Sequence, residues 1–202
     1  MRGVRYMLKQ APTGSVSNSD RSLNVAHINL CTVSEGPRKR MAIWFQGCDI
    51  LCDGCCNPGL QPIKPAHLMS ADSIVKVAQK AMTEHGIEGV TFLGGEPTLQ
   101  KDLVYLSREL KKLGLGVILF TGRSFEELDK TLVSFTDLIV DGRFDKEQPD
   151  PDRNLIGSKN QKVHLVTDRY KHDMDWFYLP RNLIVEVNMG NGSDILFTGD
   201  VF

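Results

Sequence analysis

The stretch WFQGCDILCDGCCNPG, residues 44–59, places four of the chain's five cysteines within nine residues. Thiols at that density suit three chemistries: a disulfide staple, a zinc knuckle or an iron–sulfur cluster. An odd cysteine count weighs against disulfides, and 202 residues can build a sizeable core without covalent support. Cys48, Cys52 and Cys55 are spaced C-x3-C-x2-C, and Cys56 follows directly. A structural zinc site takes four tetrahedral ligands, commonly as two separated pairs. Adjacent Cys55 and Cys56 on one ion would strain the backbone, although a distant histidine as fourth ligand keeps zinc open. Three thiolates on one loop suit a cubane cluster. Three ligands for four irons leave one iron open, as a catalytic centre needs. Cys56 is then a spare, small side chain, and Cys31 reads the same way.

The elements that must position this loop are legible in the apolar pattern. SLNVAHINL and RMAIWF read as two strands, so the cysteine loop begins where a strand ends, after Phe45. KPAHLM reads as a loop. In SADSIVKVAQKAMTEHG, Ile74, Ala78, Ala81 and Met82 recur at helical spacing, with Ser70 as N-cap and Gly86 as stop. GVTFL is a strand ending in Gly94-Gly95. Leu103, Leu106, Leu110 and Leu113 make a second helical stripe closed by Gly114. VILF and DLIV are further strands, with a helix FEELDKTL between them capped by Ser124 and Glu127. QKVHLV is one more strand, and LIVEVNMGNGSDILFTG a hairpin turning near Asn191-Gly192.

Strands alternating with helices predict βαβ units and a mostly parallel sheet. The uninterrupted apolar runs predict that both its faces are covered. With about five or six parallel strands, the α/β fold is a partial barrel with an open rim. In such sheets chemistry gathers at the carboxyl ends of the strands. That rule puts Gly47-Cys48, Gly94-Gly95-Glu96, Thr121-Gly122-Arg123 and Asp141-Gly142-Arg143 on one rim. Arg123 and Arg143 are either solvated charges or partners for a carboxylate there. None of the five histidines is assigned a role.

Composition is that of a globular protein, 41% apolar and 24% charged, and a net charge of −1 argues for neither nucleic acid nor an anionic membrane. No apolar run approaches the roughly 18 residues of a membrane span. The basic opening MRGVRYMLKQAPTGSVSNS lacks the apolar region of a signal peptide. Residues 1–20 read as a mobile tail, with an organelle transit segment as the alternative, and 21–202 as one domain. A reducing cytoplasm is the expected compartment.

The C-x3-C-x2-C loop resembles the cluster motif of the radical S-adenosylmethionine superfamily. GPRKR before the strand, QGC opening the loop, CNP closing it and GGEPTLQ after the next strand extend the likeness. LFTGRSFEEL, LIVDGRF and GSKNQK resemble later segments of the glycyl radical enzyme activases, those of anaerobic ribonucleotide reductase in particular. The resemblance runs over about residues 24–170.

It implies a [4Fe-4S] cluster on Cys48, Cys52 and Cys55, with the amine and carboxylate of S-adenosyl-L-methionine on the open iron. Reductive cleavage would give a 5′-deoxyadenosyl radical that abstracts hydrogen, from a cluster at the low end of the roughly −700 to +450 mV range of such centres. Gly94 and Gly95 let the backbone approach the cofactor's ammonium, and Glu96 adds a charge-assisted bond. A bulky residue at Gly95 is expected to weaken cofactor binding and spare the iron. Thr121 and Asp141 are placed to meet ribose, carboxylate or a cation, or else serve as turn residue and cap. Gly54 and Cys56 flank the third cysteine, where many relatives carry an aromatic residue beside the adenine.

The implied partners are a glycyl radical enzyme and an electron donor such as flavodoxin or ferredoxin. The alternatives are a stand-alone enzyme on a small molecule or peptide and, outside the class, a zinc-stabilised module or an electron carrier.

Overall fold

The structure, a computed structural model, describes residues 22–178, 185–189 and 195–199. Residues 1–20 and the turn at Asn191-Gly192 lie outside these. A seven-stranded sheet has the order β3-β1-β2-β4-β5-β6-β7. Its strands are β1 (Ser22–Thr32), β2 (Arg40–Phe45), β3 (His67–Ser70), β4 (Gly89–Gly94), β5 (Gly116–Phe120), β6 (Leu138–Asp141) and β7 (Lys162–Leu165). The helices are α1 (Ala71–His85), α2 (Leu103–Lys112), α3 (Lys130–Ser134) and α4 (Asp175–Tyr178). Strands β8 (Val185–Met189) and β9 (Ile195–Gly199) pair antiparallel as a separate two-stranded sheet, the expected hairpin. Among the described residues no helix is long and apolar enough to cross a membrane.

β2, β4, β5 and β6 form parallel pairs. β1 runs against β2, and β3 against β1, so five strands share one direction. β7 pairs antiparallel to β6 and ends the sheet. The fold is therefore the expected α/β fold with a mostly parallel sheet, but its contiguous parallel part has four strands. KPAHLM was expected to be a loop, yet His67–Ser70 pairs with Val25–Ser22 as β3. The expected helix FEELDKTL is broken as well. Glu127 accepts from Ser124 N–H at 2.8 Å, capping only a single turn, and Leu128 is extended. Asp129 then caps the amides of Thr131 and Leu132 and starts α3 afresh, since a short carboxylate in mid-helix competes for backbone donors.

The pleat of the parallel strands explains the uninterrupted apolar runs. Met41, Ile43 and Phe45 of β2, Val90 and Phe92 of β4, and Val117 and Leu119 of β5 pack with α1 and α2 in one core. α1 is built as expected, with Ser70 Oγ accepting from Ser73 N–H at 3.1 Å and Gly86 left-handed at its end. The alternate residues face the other way. Ala42, Trp44 and Leu93 cluster near the carboxyl ends of that inner face, with Phe120 against them. At its amino end Arg40 is fully buried, donating to Thr91 Oγ1 at 2.7 Å, Tyr170 Oη at 2.8 Å and Val90 O at 2.9 Å. Burial among neutral acceptors lowers its pKa. This cation plugs the closed end and leaves the carboxyl end for chemistry.

Candidate active site

Above Trp44, Leu93 and Phe120 lies a cavity of ≈ 230 Å³. Cys48, Cys52, Cys55 and Cys56 all line it, as do Gly94, Gly95, Glu96 and Thr121. All four thiols are unbridged. Among the described residues no three His, Cys, Asp or Glu side chains are placed to hold a single metal ion. The four thiols share one cavity.

The loop is held from inside by the diglycine turn. Gly95 N–H donates to Phe45 O and Glu96 N–H to Gly47 O, both at 2.8 Å. A Cβ on Gly95 would stand 2.2 Å from Gly47 O, and one on Gly94, which has φ +114°, 2.5 Å from Phe45 N. Both glycines are therefore needed for backbone to touch backbone directly beneath Cys48. A bulky residue at Gly95 would therefore press on the cysteine loop itself as well as on the cofactor side. From outside, three cations strap the same loop. Arg123 Nη2 reaches Asp49 Oδ2 at 2.7 Å, Arg143 Nη2 reaches Leu51 O at 3.3 Å, and Lys146 Nζ reaches Asp53 Oδ2 at 2.6 Å. Each strap is exposed and contributes little alone.

Glu96 is 1% exposed. Its Oε1 accepts from Thr98 N–H at 3.0 Å, Thr98 Oγ1 at 2.6 Å and Thr121 Oγ1 at 2.8 Å, and its Oε2 from Gly122 N–H at 2.9 Å. The carboxylate thus ties the end of β4 to the end of β5, and Thr121 is one of its donors. Glu96→Gln keeps the three donors on one oxygen but sets an amide N–H against that of Gly122. We expect it to lower the unfolding free energy of the iron-free protein by about 1–3 kcal/mol in urea, the cost of a buried unpaired donor. An unchanged midpoint and slope would remove this tie.

Asp141 and Gly54 lie off the cavity wall. Asp141 Oδ2 accepts from Phe125 N–H at 2.7 Å, and its Oδ1 lies 3.1 Å from His164 Nε2. Gly54 is exposed at φ +73°, where a Cβ would meet the Phe144 ring at 3.4 Å. Phe144 does line the cavity, with Ile50 and Leu155. Another wall residue missed in the sequence is Glu35, 6% exposed, whose Oε1 accepts from Gly199 N–H at 2.6 Å. Its signal was only a place directly before Gly36-Pro37.

The thiols differ in character. Contact with the Cys56 thiol, the Asn57 N–H at 3.4 Å and Gln61 pulls Cys55 down to about 6, against the effect of burial. Cys56, which is exposed, is pushed up by its bond to Cys55. Burial also raises Cys48, opposed by the amides of Leu51 and Ile50. Amides directed at Cys48 and Cys55 are what a thiolate ligand set requires, so these residues fit an iron–sulfur cluster.

A family model described as "4Fe-4S single cluster domain" matches residues 34–164. The anaerobic ribonucleoside-triphosphate reductase-activating protein of Enterobacteria phage T4 is 26% identical over 158 residues, 75% of this chain and all of that protein. The protein of the same name from Vibrio cholerae is 28% identical over 144 residues, 67% of this chain and 93% of its own. The pyruvate formate-lyase-activating enzyme of Streptococcus mutans is 27% identical over 179 residues, 82% of this chain and 66% of that one. The crystal structure of QueE from Escherichia coli aligns with a TM-score of 0.46 and 14% identity, over 62% of this chain and 73% of that chain. The chain belongs to the 4Fe-4S single cluster domain family and is a radical S-adenosylmethionine enzyme, with that cluster and S-adenosyl-L-methionine as cofactors.

Proposed function

We propose that this enzyme activates a glycyl radical enzyme, an anaerobic ribonucleotide reductase before a pyruvate formate-lyase. One observation carries the reading. The cavity, at ≈ 230 Å³, is below the roughly 300–1,000 Å³ of small-molecule pockets, and the cofactors must occupy it. The target hydrogen is therefore presented from outside. Leu51 and Ile63, 57% and 77% exposed, give the cysteine-loop side the apolar surface that a protein segment needs. The relatives named as activating proteins support the same class.

Cys48, Cys52 and Cys55 would hold the cluster, and the Gly94–Glu96 turn the methionine end of the cofactor. Phe144, Ile50 and Leu155 offer the adenosyl group an apolar wall, in place of an aromatic residue beside the third cysteine. When bound, the cluster and S-adenosylmethionine supply one-electron cleavage and a 5′-deoxyadenosyl radical. Trp44, Leu93 and Phe120 keep water from that radical below, and the incoming segment must do so above. The electron is proposed to come from a flavodoxin or ferredoxin.

The test mixes anaerobically reconstituted enzyme, S-adenosylmethionine and dithionite with a purified anaerobic ribonucleotide reductase. A glycyl radical signal in electron paramagnetic resonance is expected, together with faster 5′-deoxyadenosine release than without the reductase. If no glycyl radical enzyme acquires a radical while a small metabolite gives stoichiometric product, the activase reading falls.

A further inference from the structure

Every described residue lining the cavity lies between 34 and 164 except two, Thr198 and Gly199 of β9. The hairpin thus lies beyond the residues matched by the family model and reaches the cavity. Its seat is polar. Glu186 of β8 accepts from Thr32 Oγ1 at 2.5 Å, Val33 N–H at 3.1 Å and Ser34 Oγ at 3.3 Å, all on the segment that leaves β1. Thr198, opposite Glu186 in the register, donates to it at 3.4 Å and meets Ser34 Oγ at 3.2 Å. Gly199 adds its amide to Glu35. Val185 and Val187, on either side of Glu186, are 41% and 55% exposed. A few hydrogen bonds to two carboxylates, and not the burial of Val185 or Val187, hold this face of the hairpin down.

We propose that the β8–β9 hairpin is a wall of the cofactor cavity that keeps small oxidants and water from the cluster, and that Glu186 is the residue that positions it. The physical case is one of access. The seven-stranded sheet ends in β3 and β7, which pair with other neighbours and not with each other, so the sheet alone does not close around its inner face. Thr198 and Gly199 cover part of the cavity wall beside Glu35. Charge-assisted bonds make the seat strong while whole, and sensitive to the loss of one carboxylate. The inference takes from the proposed function only that the cluster sits in this cavity; no partner protein enters it.

The test uses full-length, anaerobically reconstituted protein without S-adenosylmethionine, exposed to a fixed dioxygen pulse, with loss of the cluster's visible absorbance followed in time. Bleaching is expected to be about tenfold faster in Glu186→Ala, and Glu186→Gln, which keeps the shape and an acceptor, should recover most of the protection. Hydrogen exchange should show the Gly199 amide losing protection in the alanine variant while β4 and β5 keep theirs. Should Glu186→Ala fail to take up iron, Thr32→Val removes one donor from the other side and carries the same test. Bleaching within twofold of the parent, or a Gly199 amide still protected in Glu186→Ala, overturns the proposal. The two readings fail separately. A protective wall with no radical on any partner removes only the activase, and a partner radical with unchanged bleaching removes only the wall.

Discussion

Serine at Cys48, Cys52 or Cys55 will leave the reconstituted protein without its cluster, and serine at Cys56 will leave it with one. All four thiols line the same cavity, so position alone does not choose between them. Local chemistry does. Ligation needs a thiolate, and the backbone amides approach Cys48 and Cys55. Cys56 lies against Cys55 and also accepts the Asn57 side-chain amide, at 3.3 Å. It is also next in sequence to Cys55, and one cubane cannot take both without distorting the peptide between them. Iron counted after anaerobic reconstitution should drop from about four per chain to near zero in the first three variants. The Cys56 variant should match the parent in iron and in visible absorbance. Loss of iron at Cys56 together with its retention at Cys55 would exchange their roles.

The cysteine loop could be read from spacing because ligand geometry is local in sequence. The helices α1 and α2 could be read for the same reason, Ser70 and Gly86 marking the two ends of α1. What stayed hidden was non-local. His67–Ser70 has no strand signature of its own and is extended because β1 offers it an edge. QKVHLV showed a strand but not its direction, since antiparallel pairing with β6 is set by the loop between them. Asp141 sits on the expected rim, but its side chain is turned toward the Phe125 amide and His164, a choice that sequence position does not encode. Glu35 and Thr198 are far apart in the chain and meet at the cavity only through the hairpin's seat.

A side chain at Gly95 should cost the enzyme its iron, not merely its affinity for S-adenosylmethionine. The sequence suggests a turn whose carbonyls face the cofactor, and from that view valine there would disturb only the cofactor. The geometry assigns the turn an earlier task. Gly95 and Glu96 bind the carbonyls of Phe45 and Gly47, the residues from which the cysteine loop springs. A Cβ at position 95 would meet Gly47 O at 2.2 Å, Gly47 C at 2.8 Å and Leu60 O at 2.9 Å. All three are backbone atoms at the two ends of the loop, and none can move without moving Cys48. Overpacking a well-filled site costs about 1–3 kcal/mol when side chains can give way, and here they cannot. Gly122 provides the contrast. Its added Cβ would first meet the Ile50 side chain, at 3.0 Å, which can turn aside. Gly95→Val is therefore expected to lower the melting temperature of the iron-free protein and to retain little iron. Gly122→Ala should keep its cluster and melt near the parent. The deciding measurement is iron per chain beside S-adenosylmethionine affinity in both variants. If Gly95→Val holds a full cluster and loses only cofactor affinity, the turn touches the cofactor first and the loop second.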